Sequence, residues 1–225
     1  WLLTGRLSLM SKTSNIRLTV LSCLVLVSMV IGVFVYSIVS PKELTKDEYK
    51  ELKFYELSAP RQLTDFRLKS GSDIFKQTNL LEKWHLVFMG FASCPDMCPM
   101  TMAKMKKTSN LLAERNIQLR DKINFMIISV DPDRDTPDLI DTYAKSFDPS
   151  FIGVSGDIGT IYTLATQLTL PFVPVVDSKR TDYDMDHSMN LALLSPSGRY
   201  YGFFKSPVDP LNMVTVLESV LTYNR

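Results

Sequence analysis

Two cysteines, Cys94 and Cys98, stand four residues apart in the stretch GFASCPDMCPM, and each is followed by a proline. Paired thiols can close a disulfide, attack one as a thiolate, or hold a metal ion as thiolates. Residues i and i+4 of a helix share a face with Cβ atoms about 5–6 Å apart, whereas a relaxed disulfide needs about 3.5–4.5 Å. A bridge here is therefore expected to be reducible rather than structural. The same separation suits two sulfurs converging on one ion. Two thiolates select Cu(I), zinc or iron–sulfur chemistry, but they are too few for a closed zinc or cluster site, so a third ligand is required.

The chain has two histidines from which to draw it. His85 begins the apolar run WHLVFMGFA beside Trp84 and reads as a core or strand-end residue. His187 lies in DYDMDHSMNLALL, where a polar, acid-rich loop feeds an apolar strand. Residue type and spacing leave it open between a solvated loop histidine and a ligand. Asp186 beside it would orient or stabilise a ligating imidazole, as carboxylates do at metal sites, or serve only as a solvated charge. Met97, Met100, Met102 and Met105 crowd the motif. Flexible helix packing is their expected role, although a soft thioether at Met97 could assist transient metal transfer.

The elements that position these residues begin with an anchor. Leu18 to Val39 run for 22 residues without a charge, and about 20 apolar residues in a helix cross a bilayer core. A signal peptide would carry a shorter apolar region and a small-residue cleavage site, so an uncleaved transmembrane helix is expected. Cys23, inside it, is assigned no chemistry. The preceding tail carries Arg6, Lys12 and Arg17 and no acid, whereas the other flank mixes Lys42, Lys46 and Lys50 with Glu43, Asp47, Glu48 and Glu51. The positive-inside bias places the tail in the cytoplasm and the rest across the membrane. The chain opens on Trp1, Met10 is the expected start, and the first nine residues are left uninterpreted. The organisation is thus a tail over 1–17, an anchor over 18–39, a charged linker over 40–57, helical in its middle, and a folded domain over 58–225.

Beyond the membrane the thiols would face an oxidising compartment, the bacterial periplasm or its equivalent, where they must be oxidised, metal-bound or kept reduced by a partner. With 25 basic against 24 acidic residues and no basic stripe, the chain lacks the electrostatic footprint of a nucleic-acid binder. In the domain, QLTDFRLKSGSDIF reads as a hairpin, WHLVFMGFA and KINFMIISV as buried strands flanking a helix from about Pro95 to Glu114, and DTPDLIDTYAKSF as a helix capped by Thr136. A strand at FIGVSG, a helix at DIGTIYTLATQL, a hairpin at NLALLSPSGRYYGFF and a final helix from about Asp209 to Leu221 follow. The outline is α/β: a thioredoxin-like fold with an N-terminal hairpin extension, preceded by one transmembrane helix. The cysteines fall where a buried strand enters a helix, and the helix N-terminus is expected to lower the pKa of at least one thiol.

Three stretches, FMGFASCPDMCPMTMAKM, IISVDPDRDTPDLIDTYAKSF and DYDMDHSMNLALLSPSGRYYGFF, in this order and spacing, resemble the Sco/SenC family of membrane-anchored copper-binding thioredoxin-like proteins. The resemblance implies copper, Cu(I) or Cu(II), held by Cys94, Cys98 and His187, with Asp131 supporting the site. It also implies a bacterial inner-membrane metallochaperone that helps build the binuclear copper centre of cytochrome c oxidase subunit II, with thiol-disulfide reductase activity left open. Another copper chaperone or a thiol reductant would be its further partner. The alternatives are a thiol-disulfide oxidoreductase that keeps the acceptor cysteines reduced, against which the three-residue spacer weighs, and a copper or redox sensor.

Overall fold

The computed structural model describes residues 5–39, 42–176 and 183–223. The first four residues of the expected tail, and positions 177–182 of the loop leading to His187, lie outside them. The chain divides into two compact units, Trp1–Lys42 and Glu43–Arg225.

The first unit is one helix, α1 (Gly5–Val39), within which Ile16–Ser37 is long and apolar enough to cross a membrane. Those 22 residues rise about 33 Å at 1.5 Å each, against about 30 Å of hydrocarbon. The large apolar side chains from Ile16 to Tyr36 are all more than half exposed. The hydroxyls of Ser22 and Ser28 turn back onto the Thr19 and Leu24 carbonyls, as lipid surroundings require of polar groups. This helix fits a single-pass anchor.

The second unit starts earlier than the charge pattern suggests. Lys46–Glu51 forms α2, closed at its start by a capping box between Thr45 and Glu48. Strand β1 (Phe54–Gln62) then begins inside the expected linker. Tyr49 and Phe54 are buried and meet edge to face at 5.4 Å, and the Tyr49 hydroxyl lies 3.0 Å from Ser219 Oγ. The expected domain start at residue 58 therefore falls within a strand, because two buried aromatics were hidden among the charges.

The chain continues through β2 (Arg67–Ser70), β3 (Asp73–Lys76), a 3₁₀ turn (Gln77–Leu80), β4 (Trp84–Gly90), α3 (Met97–Arg115), α4 (Ile117–Arg120) and β5 (Ile123–Ser129). It ends with α5 (Pro137–Phe147), β6 (Ile152–Val154), α6 (Ile158–Gln167), β7 (Phe172–Val176), β8 (Tyr183–His187), β9 (Leu191–Leu194), β10 (Arg199–Phe204) and α7 (Pro210–Tyr223). β2 and β3 pair as the expected hairpin, turned at Gly71 with φ +56°. Thr136 caps α5 by accepting from Leu139 N–H, with Pro137 in the first turn.

Six strands form the main sheet in the order β1-β10-β9-β4-β5-β6. Every residue of β4 is buried, which accounts for its unbroken apolar run. β4 and β5 are parallel, paired from Trp84↔Ile123 to Gly90↔Ser129, so their C-terminal ends open at one sheet edge. That edge is where α/β sheets place ligands.

β7 and β8 form a separate two-stranded ribbon, with Phe172 opposite His187. YDMDH, Tyr183–His187, is therefore a strand rather than a loop. Its period is two: Met185 is buried, Tyr183 and His187 are half-buried, and Asp184 and Asp186 face out.

Candidate metal centre

The chain leaves β4 at Gly90, whose carbonyl accepts from Val130 N–H at 2.9 Å. A Cβ there would lie 2.6 Å from the Phe88 ring and 3.0 Å from Cys98 Sγ, so glycine is what lets the sulfur approach the strand end. In the loop that follows, Ala92 N–H donates to Asp135 Oδ2 at 2.9 Å, and Cys94 N–H donates to the Phe91 carbonyl at 3.4 Å. Asp135 also accepts from the Ser129 hydroxyl at 2.8 Å, which ties the cysteine loop to the end of β5.

Cys94 is half-buried just before α3, and Cys98, in its first turn, is fully buried. Cys98 N–H points at Cys94 Sγ at 3.4 Å. His187, at the end of β8, places Nε2 3.4 Å from Cys98 Sγ. Its Nδ1 lies 3.2 Å from the Ser188 carbonyl. A carbonyl only accepts, so Nδ1 carries the proton and Nε2 turns its lone pair towards the sulfurs. Phe88 and Phe91 hold the ring edge-on at centroid distances of 5.6 and 5.7 Å. One ligand atom from each of Cys94, Cys98 and His187 lies within 4.8 Å of the other two. Two sulfurs and one imidazole nitrogen form a soft, three-donor set that fits a monovalent soft cation and leaves a closed four-ligand zinc site incomplete.

The electrostatics differ from expectation. Burial pushes the Cys98 thiol far above its ordinary pKa, with the neighbouring Cys94 and Asp135 acting in the same direction, so at this residue desolvation overrides the helix N-terminus. Burial pulls His187 below its ordinary value, against the opposing effects of the Ser188 carbonyl and the Asp186 charge, and keeps the imidazole neutral. A neutral imidazole is the form that binds metal.

The other sequence candidates fall outside the donor set. Asp186 is exposed, one residue before His187 at the same cavity mouth, and the Ser188 carbonyl rather than its carboxylate orients the ring. Asp131 is buried and bonded to Arg134 Nε and, at 2.7 Å, to the Tyr183 hydroxyl. Arg134 Nη1 donates to the Tyr183 carbonyl at 3.1 Å, and its guanidinium stacks over the Tyr183 ring at 4.3 Å. Asp131 thus clamps the start of the strand that carries His187. Asp135, which touches the cysteine loop directly, escaped the sequence reading. Its signal was its place in the same SVDPDRDTP run, where spacing alone does not say which acid faces the motif.

His85 is fully buried, with Nδ1 3.1 Å from the Lys83 carbonyl and Nε2 accepting from Asn124 at 3.1 Å. Burial lowers its pKa to about 4. It is a satisfied core histidine. Cys94 opens onto a cavity of about 260 Å³ lined also by Asp96, Met97, Asp186, His187 and Met189, among others. A larger cleft of about 590 Å³ beside β2 and β3 is lined by Asp65, Arg67 and Lys76 and contains neither thiol nor imidazole.

Comparison with known proteins converges on one group. The family model described as SCO1/SenC matches residues 56–222. A putative copper-binding protein of Stutzerimonas stutzeri is 34% identical over 151 residues, covering 67% of this chain and 72% of its own. Among solved structures, apo Sco1 from Thermus thermophilus superposes with a TM-score of 0.67 at 26% identity, covering 75% of this chain and 96% of that one. Bradyrhizobium japonicum ScoI with copper bound gives 0.60 at 31%, covering 69% and 96%. The sheet described above is the thioredoxin-like fold of these structures.

Proposed function

Since the chain belongs to the SCO1/SenC family, we propose that it is a membrane-anchored copper chaperone whose cargo is held by Cys94, Cys98 and His187. The observation that carries the reading is the convergence of two sulfurs and a neutral imidazole within 4.8 Å at one sheet edge. Copper in the Bradyrhizobium relative supports the choice of metal. Cu(I) prefers thiolate and imidazole donors in low coordination, and this set offers three. Binding releases the thiol protons, so uptake is favoured as pH rises.

The acceptor is cytochrome c oxidase subunit II, and its binuclear copper centre is the destination. Transfer proceeds by ligand exchange: the bond to the buried Cys98 breaks first, and a cysteine of the acceptor enters at the mouth, on the half-buried Cys94 side. The basic tail before Ile16 lies in the cytoplasm, the apolar helix anchors the chain in the bacterial inner membrane, and the domain works in the periplasm. The SCO1/SenC match and the positive-inside bias support this assignment.

The test is competition for Cu(I) between the reduced, detergent-solubilised chain and a chromophoric chelator under anaerobic conditions. The wild type should hold one copper, and His187→Ala and Cys94→Ser should each weaken it at least tenfold, about 1.4 kcal/mol per factor of ten. If His187→Ala binds as tightly as wild type, or wild type binds none, the dithiol is a redox pair and a reductase reading replaces the chaperone.

A further inference from the structure

The three donors are unequally open to an arriving ion. Cys98 is 0% exposed behind Gly90, whereas Cys94 and His187 line the cavity at the surface. Whatever enters from solvent therefore meets the mouth before it meets Cys98.

The methionines that crowd the motif separate into three groups. Met102 and Met105 are fully buried and belong to the core. Met100, 43% exposed, is not among the residues lining the cavity. Met97, 45% exposed, stands between the two thiols as the first residue of α3 and does line it, together with the half-buried Met189. Asp96, Asp184 and Asp186 line the same mouth and attract cations towards it. A thioether is a soft donor that carries no proton, whereas a thiol must lose one before it binds. Met97 can therefore hold a soft cation without a deprotonation step.

Building on the copper reading above, we propose that Met97 is an entry ligand, at which Cu(I) is first held by the Met97 thioether, by the Cys94 thiolate, whose proton passes to water, and by the His187 imidazole. In the next step the bond from copper to the Met97 sulfur breaks and a bond to the Cys98 sulfur forms. The Cys98 proton passes to water and copper stays Cu(I), so no oxidant or reductant is needed. Release to a partner runs through the same state in reverse. Because the thioether is not a ligand of the fully seated ion, its removal changes rates and leaves the equilibrium affinity unchanged.

The test uses the full chain in detergent and stopped-flow transfer of Cu(I) from a bicinchoninate complex, with Met97→Leu and Met100→Leu compared to wild type. Both variants should bind Cu(I) with wild-type affinity. Met97→Leu should slow capture and release about tenfold, equivalent to about 1.4 kcal/mol of stabilisation of the entry state, and Met100→Leu should leave both rates unchanged. The proposal is overturned if Met97→Leu transfers at the wild-type rate, if Met100→Leu slows equally, or if Met97→Leu loses affinity. A wild-type chain that takes no Cu(I) from the chelator would instead remove the copper reading itself. A second measurement holds the ion at the mouth: in Cys98→Ser, ¹³C-methyl NMR should show the Met97 methyl shifting on Cu(I) addition while Met100 stays fixed. An unmoved Met97 methyl in a Cys98→Ser chain that has bound copper also overturns the entry role.

Discussion

Asp135 supports the cysteine loop without touching a metal, and two substitutions separate how it does so. It is 1% exposed, and a single oxygen, Oδ2, accepts from both Ala92 N–H and the Ser129 hydroxyl. Asp135→Ala removes that acceptor and strands the N–H of half-buried Ala92, two residues before Cys94. Two hydrogen bonds to a charged group, at about 1.5 kcal/mol each, make a loss of about 3 kcal/mol. With a urea slope of about 2.5 kcal/mol per molar, the unfolding midpoint of the domain should fall by about 1.2 M. Asp135→Asn can leave an oxygen in the same place and discard a buried charge, so it should stay within about 1 kcal/mol of wild type. The pH dependence adds a signature. Burial raises the Asp135 pKa, so the stability linked to this carboxyl is present in full below the ordinary carboxylate value and lost as pH rises through the raised one. The Asn variant, which does not ionise, should therefore gain on wild type from about pH 4 towards neutrality. Urea unfolding followed by near-UV circular dichroism, on the chain in detergent at several pH values, measures both effects. Equal destabilisation by Ala and Asn would refute the reasoning, since it would mean that the charge, not the acceptor, holds the loop.

Two further outcomes follow from buried groups away from the thiols. His85 is held neutral with a pKa of about 4, so its contribution to stability is present above its ordinary value near 6.5 and lost as pH falls towards 4. The gap corresponds to about 3 kcal/mol, which should appear as an acid-side slope in stability that His85→Gln flattens; an unchanged slope would remove desolvation as its origin. The hydroxyl of Tyr143 on α5 is buried and has no hydrogen-bond partner among the described residues. Tyr143→Phe should therefore stabilise the domain by about 1 kcal/mol, raising Tm by about 2–4 °C in calorimetry, and a lower Tm would show that the hydroxyl is satisfied.

What could be read in the amino-acid order was whatever depends on near neighbours. The apolar runs of β4 and β5, the Thr136–Pro137 helix start and the Ser-Gly turn of the β2–β3 hairpin all declare themselves within a few residues, and the structure contains each. The pairing of Cys94 with Cys98 was legible for the same reason, whereas placing His187 beside them, 89 residues further on, came from the family resemblance. The features that were missed depend on what lies across the fold. The alternation of Tyr183, Met185 and His187 against Asp184 and Asp186 is a strand pattern, but the acids made it read as a loop. The rise in the Cys98 pKa depends on how deeply the sulfur sinks beside Gly90, which a helix-terminus argument does not contain. The choice of Asp135 over Asp131 as the contact to the cysteine loop was likewise set by tertiary packing.

The sulfurs and the imidazole stand on structurally independent supports. Cys94 and Cys98 are fixed at the junction of β4 and α3, while His187 rides on the β7–β8 ribbon, which among the described residues pairs with no strand of the main sheet. The ribbon is fastened by the Asp131–Arg134–Tyr183 cluster and by Phe172 and Met185, which are buried in the core. Such a unit can lift away at a smaller free-energy cost than global unfolding, leaving the dithiol intact on the sheet. The apparent dissociation constant of the three-donor site is then its intrinsic value divided by the fraction of molecules with the ribbon docked. On the copper reading proposed above, Tyr183, four positions before the imidazole, would control affinity: loosening its clamp would weaken binding with every donor still present, and a partner that lifted the ribbon would turn a tight holder into a ready donor.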